Sequence, residues 1–257
     1  MNGVKIAIRK TKKYADKYGQ KLSDKQLFLR LISTKIYPFL SIKGKGINKS
    51  ENGEWQNKIF RAEILTKQYL SKMKGILMVG VTGSVAAESA LENEDIDLLI
   101  ITCKDELWWW RLYVRFVVWW YKIPHRKYGK KEKMDEFCFN LWLDETNLVV
   151  PKAKRNLKNA TDMIMMKVIW EKNGIYQKFL NKNMWVKKYL ATGFKERVKM
   201  SRKVDKKISN KRKNNYLKKI VNEILFWQQY LYMRIKNKQK PKKNDVNMGQ
   251  AFFHENS

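Results

Sequence analysis

Residues 76–101, ILMVGVTGSVAAESALENEDIDLLII, constrain the fold more than any other stretch of the chain. An apolar, β-branched run from Ile76 to Val81 stops at Gly83-Ser84, a helical stretch of about two turns follows, and a second apolar run starts at Asp95-Ile96-Asp97 and continues to Ile101. The pattern predicts strand, turn, helix, strand. Side chains alternate along a strand, so Asp95 and Asp97 share one face at its start. Two carboxylates held that close repel each other unless a cation lies between them. Gly83 permits close backbone approach, and Ser84 with the helix start behind it offers a hydroxyl and open N–H groups, which suit a phosphate. The unit combines an anion cradle with a candidate metal clamp.

Gly83-Ser84, ten intervening residues, Asp95-Ile96-Asp97 and the apolar strand that follows resemble the signature of the polymerase-beta-like nucleotidyltransferase superfamily. The resemblance covers roughly residues 74–151. The chain has Glu88 where many members carry a second Gly, and Glu94 where Ser often precedes the first Asp; both read as solvent-facing positions. The resemblance implies a metal-dependent enzyme in which Asp95 and Asp97 bind Mg²⁺ or Mn²⁺ and Gly83 and Ser84 bind the phosphates of an NTP such as ATP. It also implies a third carboxylate on the third strand, Asp135 to Leu143. The matching place, Phe139-Asn140-Leu141, holds asparagine, which offers a metal an oxygen without charge. Asp144, four residues on and on the same face by strand parity, is the expected third metal ligand and catalytic acid.

Charge bears on the acceptor. The chain of 257 residues has a formal net charge of +31, yet residues 51–150 carry 14 basic and 15 acidic side chains, so the excess lies in the flanks. A uniform compositional bias would reach the middle as well. Basic flanks around a neutral core predict a polyanion partner with many phosphate contacts, RNA or DNA before a small acidic substrate. Two cysteines, Cys103 and Cys138, lie outside any zinc spacing, read as buried small hydrophobes, and fit a reducing cytosol. With two histidines in the chain, His-based metal sites and Ser-His-Asp triads are poorly supported. No apolar stretch of secretory length opens the sequence, which predicts a cytoplasmic protein.

The expected architecture is α+β: a small mixed-sheet nucleotidyltransferase core over 74–151, a basic helical region over 1–73, and a basic helical domain over 152–257 after Pro151. Residues 1–22 are expected to fray at the start. Ser23-Asp24-Lys25-Gln26 reads as a capping box opening a helix that Pro38 ends, and 41–53 reads as a loop. A helix from Trp55 to about Lys72 should place Ile59, Phe60, Ile64, Leu65 and Tyr69 at helical spacing. The stretch 107–123, LWWWRLYVRFVVWWYKI, is too short and too charged to span a bilayer. It is expected to cross beneath the sheet, with an interfacial membrane helix or a partner surface as alternatives. Residues 124–134 form a basic connection. Thr161 is expected to cap a helix bearing Ile164, Val168 and Ile169, and a second aromatic-rich helix should end before Gly193. The basic run 195–213 precedes an amphipathic helix with Leu217, Ile220, Ile224, Leu231 and Ile235 on one side, and the tail Phe252-Phe253-His254 is expected to dock on the body.

The resulting expectation is template-independent transfer of NMP from an NTP to an RNA 3′ end, tRNA among the candidates, by two-metal in-line displacement. Two alternatives stand beside it: transfer to a small-molecule or protein hydroxyl, and a non-catalytic RNA-binding module.

Overall fold

Three helices precede the first strand: α1 (Asn2–Asp16), α2 (Asp24–Leu29) and α3 (Glu54–Gln68). The computed structural model describes residues 2–47, 53–126, 133–201, 216–236 and 246–252, without the side chains of Asn140 and Lys236. The start of the chain does not fray. Ala7, Thr11 and Ala15 recur at spacing four and are buried, and the Thr11 hydroxyl donates to Ala7 O (2.8 Å) while accepting from Ile32 N (2.9 Å). The capping box forms as expected: Gln26 N donates to Ser23 Oγ (3.3 Å) and Ser23 N to Gln26 Oε1 (3.0 Å). α2 is shorter than expected and stops well before Pro38.

α3 turns part of its apolar side inward. Leu65 is buried and Ile59 packs against the core, with Ala62, Thr66 and Lys58 buried beside them, while Phe60 is 62% exposed and Ile64 38%. Lys58 is held on the buried side. Its ammonium donates to Glu92 O (2.9 Å), Glu94 O (2.7 Å) and Asp135 Oδ1 (2.9 Å), so all three donors are satisfied away from water.

The sequence then builds one sheet. β1 (Ile76–Val81) leads through the single turn of α4 (Gly83–Ala86) into β2 (Ile96–Thr102), then α5 (Leu107–Trp120) and β3 (Phe137–Asp144). β1 pairs antiparallel with β2, and β2 pairs parallel with β3, which makes the sheet mixed and the fold α+β, as expected. All six residues of β1 are buried, which accounts for its continuous apolar run.

Beyond Pro151 the chain is not all helix. α6 (Leu157–Met165) is capped by Asn156, not Thr161, and the chain then extends into β4 (Lys167–Glu171), which pairs antiparallel with β1. Val168 and Ile169 therefore lie on a strand; three β-branched and aromatic residues in a row, Val168 to Trp170, favour that state. α7 (Ile175–Lys182), α8 (Lys187–Ser201) and α9 (Tyr216–Lys236) follow, then the hairpin β5 (Val246–Asn247) and β6 (Gln250–Phe252). The order β4-β1-β2-β3-β6-β5 carries the sheet across the boundary expected at Pro151. Gly193 lies inside α8, where a side chain would meet Leu29 O of α2.

Alternation along β2 separates two cores. Ile96, Leu98 and Ile100 join Trp108, Val114 and Val118 of α5 and Phe226 and Met233 of α9 on one face. Leu99 and Ile101 join Ile164, Phe179 and Leu190 on the other. The apolar side of α9, with Leu217, Ile220, Ile224, Leu231 and Ile235, faces solvent. Phe252 pairs with Leu141 at the sheet edge; Phe253 and His254, and the basic residues 127–132, 202–215 and 237–245, lie outside the described residues. Among the described residues no helix is long and apolar enough to cross a membrane.

Candidate functional site

The site lies where β1 ends and β2 and β3 begin. Thr82 N donates to Asp97 O (2.9 Å), closing the β1 end onto the start of β2, and the chain turns at once through Gly83 with φ +67°. Glycine is required here twice over. The backbone is left-handed, and a Cβ would come within 2.5 Å of Asp97 Oδ2. The turn thus brings the Gly83-Ser84 backbone against a carboxylate on the neighbouring strand.

Asp95 is buried and Asp97 half-buried, on the face of β2 opposite α5 and α9. Parallel pairing sets Asp97 beside Cys138 on β3. One ligand atom from each of Asp95, Asp97 and Cys138 fits within a 4.8 Å span. The Cys138 thiol hydrogen-bonds Asp97; burial first, then the two carboxylates, push its pKa up, against the opposing pull of Arg126. Arg126 donates through its guanidinium to Asp95 Oδ2 at 3.1 Å. Its own backbone is pinned to β3 by Arg126 N donating to Phe137 O (3.0 Å) and Phe137 N donating to Pro124 O (3.0 Å).

The structure brings Gly83, Ser84, Asp95 and Asp97 together and does not bring Asp144 to them. Asp144 pairs with Thr102 at the far end of β2, six residues along β3 from Cys138 and roughly 20 Å away at strand rise. It has another task. Its carboxylate accepts from Asp105 N (2.6 Å), Thr146 N (2.7 Å) and Thr146 Oγ1 (2.6 Å), closing the loops after β2 and β3. Burial nevertheless pushes its carboxyl pKa up against these three donors. Asp144→Ala strands two backbone N–H groups and is expected to cost about 2 kcal/mol in urea denaturation.

Glu88 also differs from expectation. It is half-buried rather than free in solvent, accepts from Gln26 Nε2 (3.0 Å) and pairs with Lys167 (3.0 Å). Its φ is +58°, a conformation that glycine serves at no steric cost, which gives the glycine of the resembled signature a physical reason at this place. Glu94 is likewise half-buried and accepts from Leu91 N (3.0 Å).

Two residues of the site escaped sequence reasoning. Cys138 reads as a core thiol until the register of the parallel pair is known, and Arg126 reads as one of many basic residues in a connection. A divalent cation would find two carboxylates here and a thiol where a third acid was expected. Mg²⁺ and Mn²⁺ prefer oxygen to sulfur, so the donors fit one hard cation on Asp95 and Asp97. They do not fit a three-carboxylate clamp for two. Both cysteines are free and buried. Cys138 is expected to resist iodoacetamide at pH 8 in the folded protein and to react within minutes once urea unfolds it; rapid labelling of the native state would mean an ionised, open thiol. No family model, curated protein or solved structure matches this chain.

Proposed function

We propose that the chain is a metal-dependent nucleotidyltransferase that moves NMP from an NTP to a hydroxyl, with an RNA 3′ end as the acceptor. The observation that carries this reading is the Gly83 turn: a left-handed glycine with no room for a Cβ, set directly against Asp97, with Asp95 on the same strand face. Asp95 and Asp97 would hold one Mg²⁺ or Mn²⁺, which when bound supplies charge neutralisation to the triphosphate and acidity to the attacking hydroxyl. The backbone at Gly83-Ser84 would receive the outer phosphates. The acceptor oxygen forms a new bond to the α-phosphorus, the α–β bridging bond breaks, and pyrophosphate leaves. Arg126, donating to Asp95, would keep that carboxylate oriented and balance its charge when the cation departs. RNA is favoured as acceptor because the basic excess sits outside the near-neutral residues 51–150.

The test is incubation with total RNA and each α-labelled NTP in turn, with Mg²⁺ or Mn²⁺. Labelled RNA that falls steeply with added salt supports the reading; label on a small hydroxylated molecule, insensitive to salt, supports a different acceptor. The Asp95–Arg126 ion pair and the thiol at the third position favour one other reading, an RNA-binding module without catalysis. That module would retain RNA and bind NTP equally with and without metal.

A further inference from the structure

We propose that the outward faces of α5 and α9 form one plate that seats the protein on an anionic lipid bilayer, with both helices lying in the plane of its surface.

The two helices cover the same side of the sheet, because Trp108, Val114 and Val118 of α5 and Phe226 and Met233 of α9 enter one core with Ile96, Leu98 and Ile100. Their opposite faces therefore both point away from the sheet. On α5 that face carries Trp109, Tyr113, Phe116, Trp119 and Trp120, all exposed and spaced at three, four and seven. On α9 it carries Ile220, Ile224, Trp227, Leu231 and Ile235, exposed at the same periodicity. Trp119 is 66% exposed and Ile235 85%.

α9 is inverted relative to a water-facing helix. The stripe packed inward alternates polar Asn222 and Gln229 with apolar Phe226 and Met233. Asn222 Oδ1 accepts from Trp108 N (2.8 Å), Gln229 Nε2 donates to Trp108 O (3.0 Å), and Gln229 Oε1 accepts from Arg111. The aliphatic stripe is left outside. An apolar plate of two helices is far larger than the scattered apolar groups of an ordinary surface.

Charge decides the occupant. Arg115 and Lys122 border the plate at α5, and Lys219 and Arg234 border it at α9, all exposed, while Lys218 pairs with Glu106 (2.6 Å); Glu223 is the one exposed acid in the two helices among the described residues. A second copy would bring the same basic border against this one, whereas an anionic headgroup layer complements it. Tryptophan and tyrosine suit the headgroup boundary, and the aliphatic residues suit the acyl chains beneath it. Nucleic acid would use the aromatic rings for stacking but has no use for Ile220, Ile224, Leu231 and Ile235. No described helix is fit to cross the bilayer, so the plate would rest in the interface. The plate lies on the sheet face opposite Asp95 and Asp97, which would leave the catalytic side turned to solvent.

Sedimentation with vesicles in which roughly a quarter of the phosphatidylcholine is replaced by phosphatidylglycerol tests this. The protein is expected to pellet with these vesicles and to stay largely in solution with pure phosphatidylcholine. Trp119→Glu with Trp120→Glu, and separately Ile224→Glu with Leu231→Glu, should each lower partitioning at least about tenfold. These side chains point outward, so circular dichroism should be unchanged. A second readout needs no variant: phosphatidylglycerol brominated on its acyl chains should quench the tryptophan emission of the unaltered protein. Three results would each overturn the proposal. They are absence of quenching, a lipid-free dimer that the substitutions split, and loss of single-stranded RNA binding in the same variants.

Discussion

Asp97→Asn is expected to lower NMP transfer at least about a hundredfold with little change in fold. The amide keeps the shape of the carboxylate and still accepts from the Cys138 thiol, so packing against Gly83 survives. What disappears is the charge that a hard cation requires. Asp95→Asn should cost as much in transfer, and somewhat more in stability, because it also weakens the ion pair with Arg126 at 3.1 Å. Initial rates with a labelled NTP, normalised to folded protein by circular dichroism, make the comparison. Asp144→Ala provides the contrast: a carboxylate that holds loops together should alter stability and spare the rate. If all three variants lost activity only in proportion to folded protein, Asp95 and Asp97 would be structural residues.

The largest stability effect should come from Lys58→Ala. Lys58 is buried at 1% exposure and ties α3 to the two loops that deliver Asp95 and Arg126, through Glu92 O, Glu94 O and Asp135. Asp135 has φ +59°, so its backbone relies on the surrounding contacts to stay there. Removing the ammonium leaves Glu92 O without its donor, Glu94 O with only the longer bond from Asp135 N (3.4 Å), and Asp135 with Arg61 as its remaining ion-pair partner among the described residues. Breaking a buried pair from one side costs roughly 3 kcal/mol, about 6–12 °C in melting temperature for a chain of this size. Thermal unfolding followed by circular dichroism reads this directly. A shift under about 2 °C would mean that the clamp contributes little.

The strands of the site were legible because their signals are local. The run Ile76 to Val81 became β1 with the same bounds, and the second run became β2. The turn at Gly83 was legible as a glycine requirement, although its partner Asp97 was not. The helix after it is one turn rather than two, since the chain leaves it through the left-handed Glu88. Pairing was not legible at all. Strand parity predicted that Asp144 shares the face of the expected acid position, but the register shift between Asp97 and Leu99 reverses the alternation within β3: Cys138 lies beside Asp97, while Asp144 pairs with Thr102 at the far end and on the opposite face. The same limit hid β4: Val168 and Ile169 fit helical spacing, and only the empty edge of β1 makes them a strand. Amphipathicity located α9 without giving the sense of its packing, because periodicity identifies an apolar side without saying what covers it. Lys58 was unreadable for the opposite reason, as a charge that satisfies its donors indoors breaks the rule that exposes lysine.

The most direct measurement of the central claim is NTP affinity by equilibrium titration, with and without Mg²⁺ or Mn²⁺, for the unaltered chain and for Asp95→Asn and Asp97→Asn. A cation held on the two carboxylates beside the Gly83-Ser84 backbone should tighten NTP binding at least about tenfold in the unaltered chain and leave both variants unchanged. Equal affinity with and without metal, or the same metal effect in the variants, would contradict it.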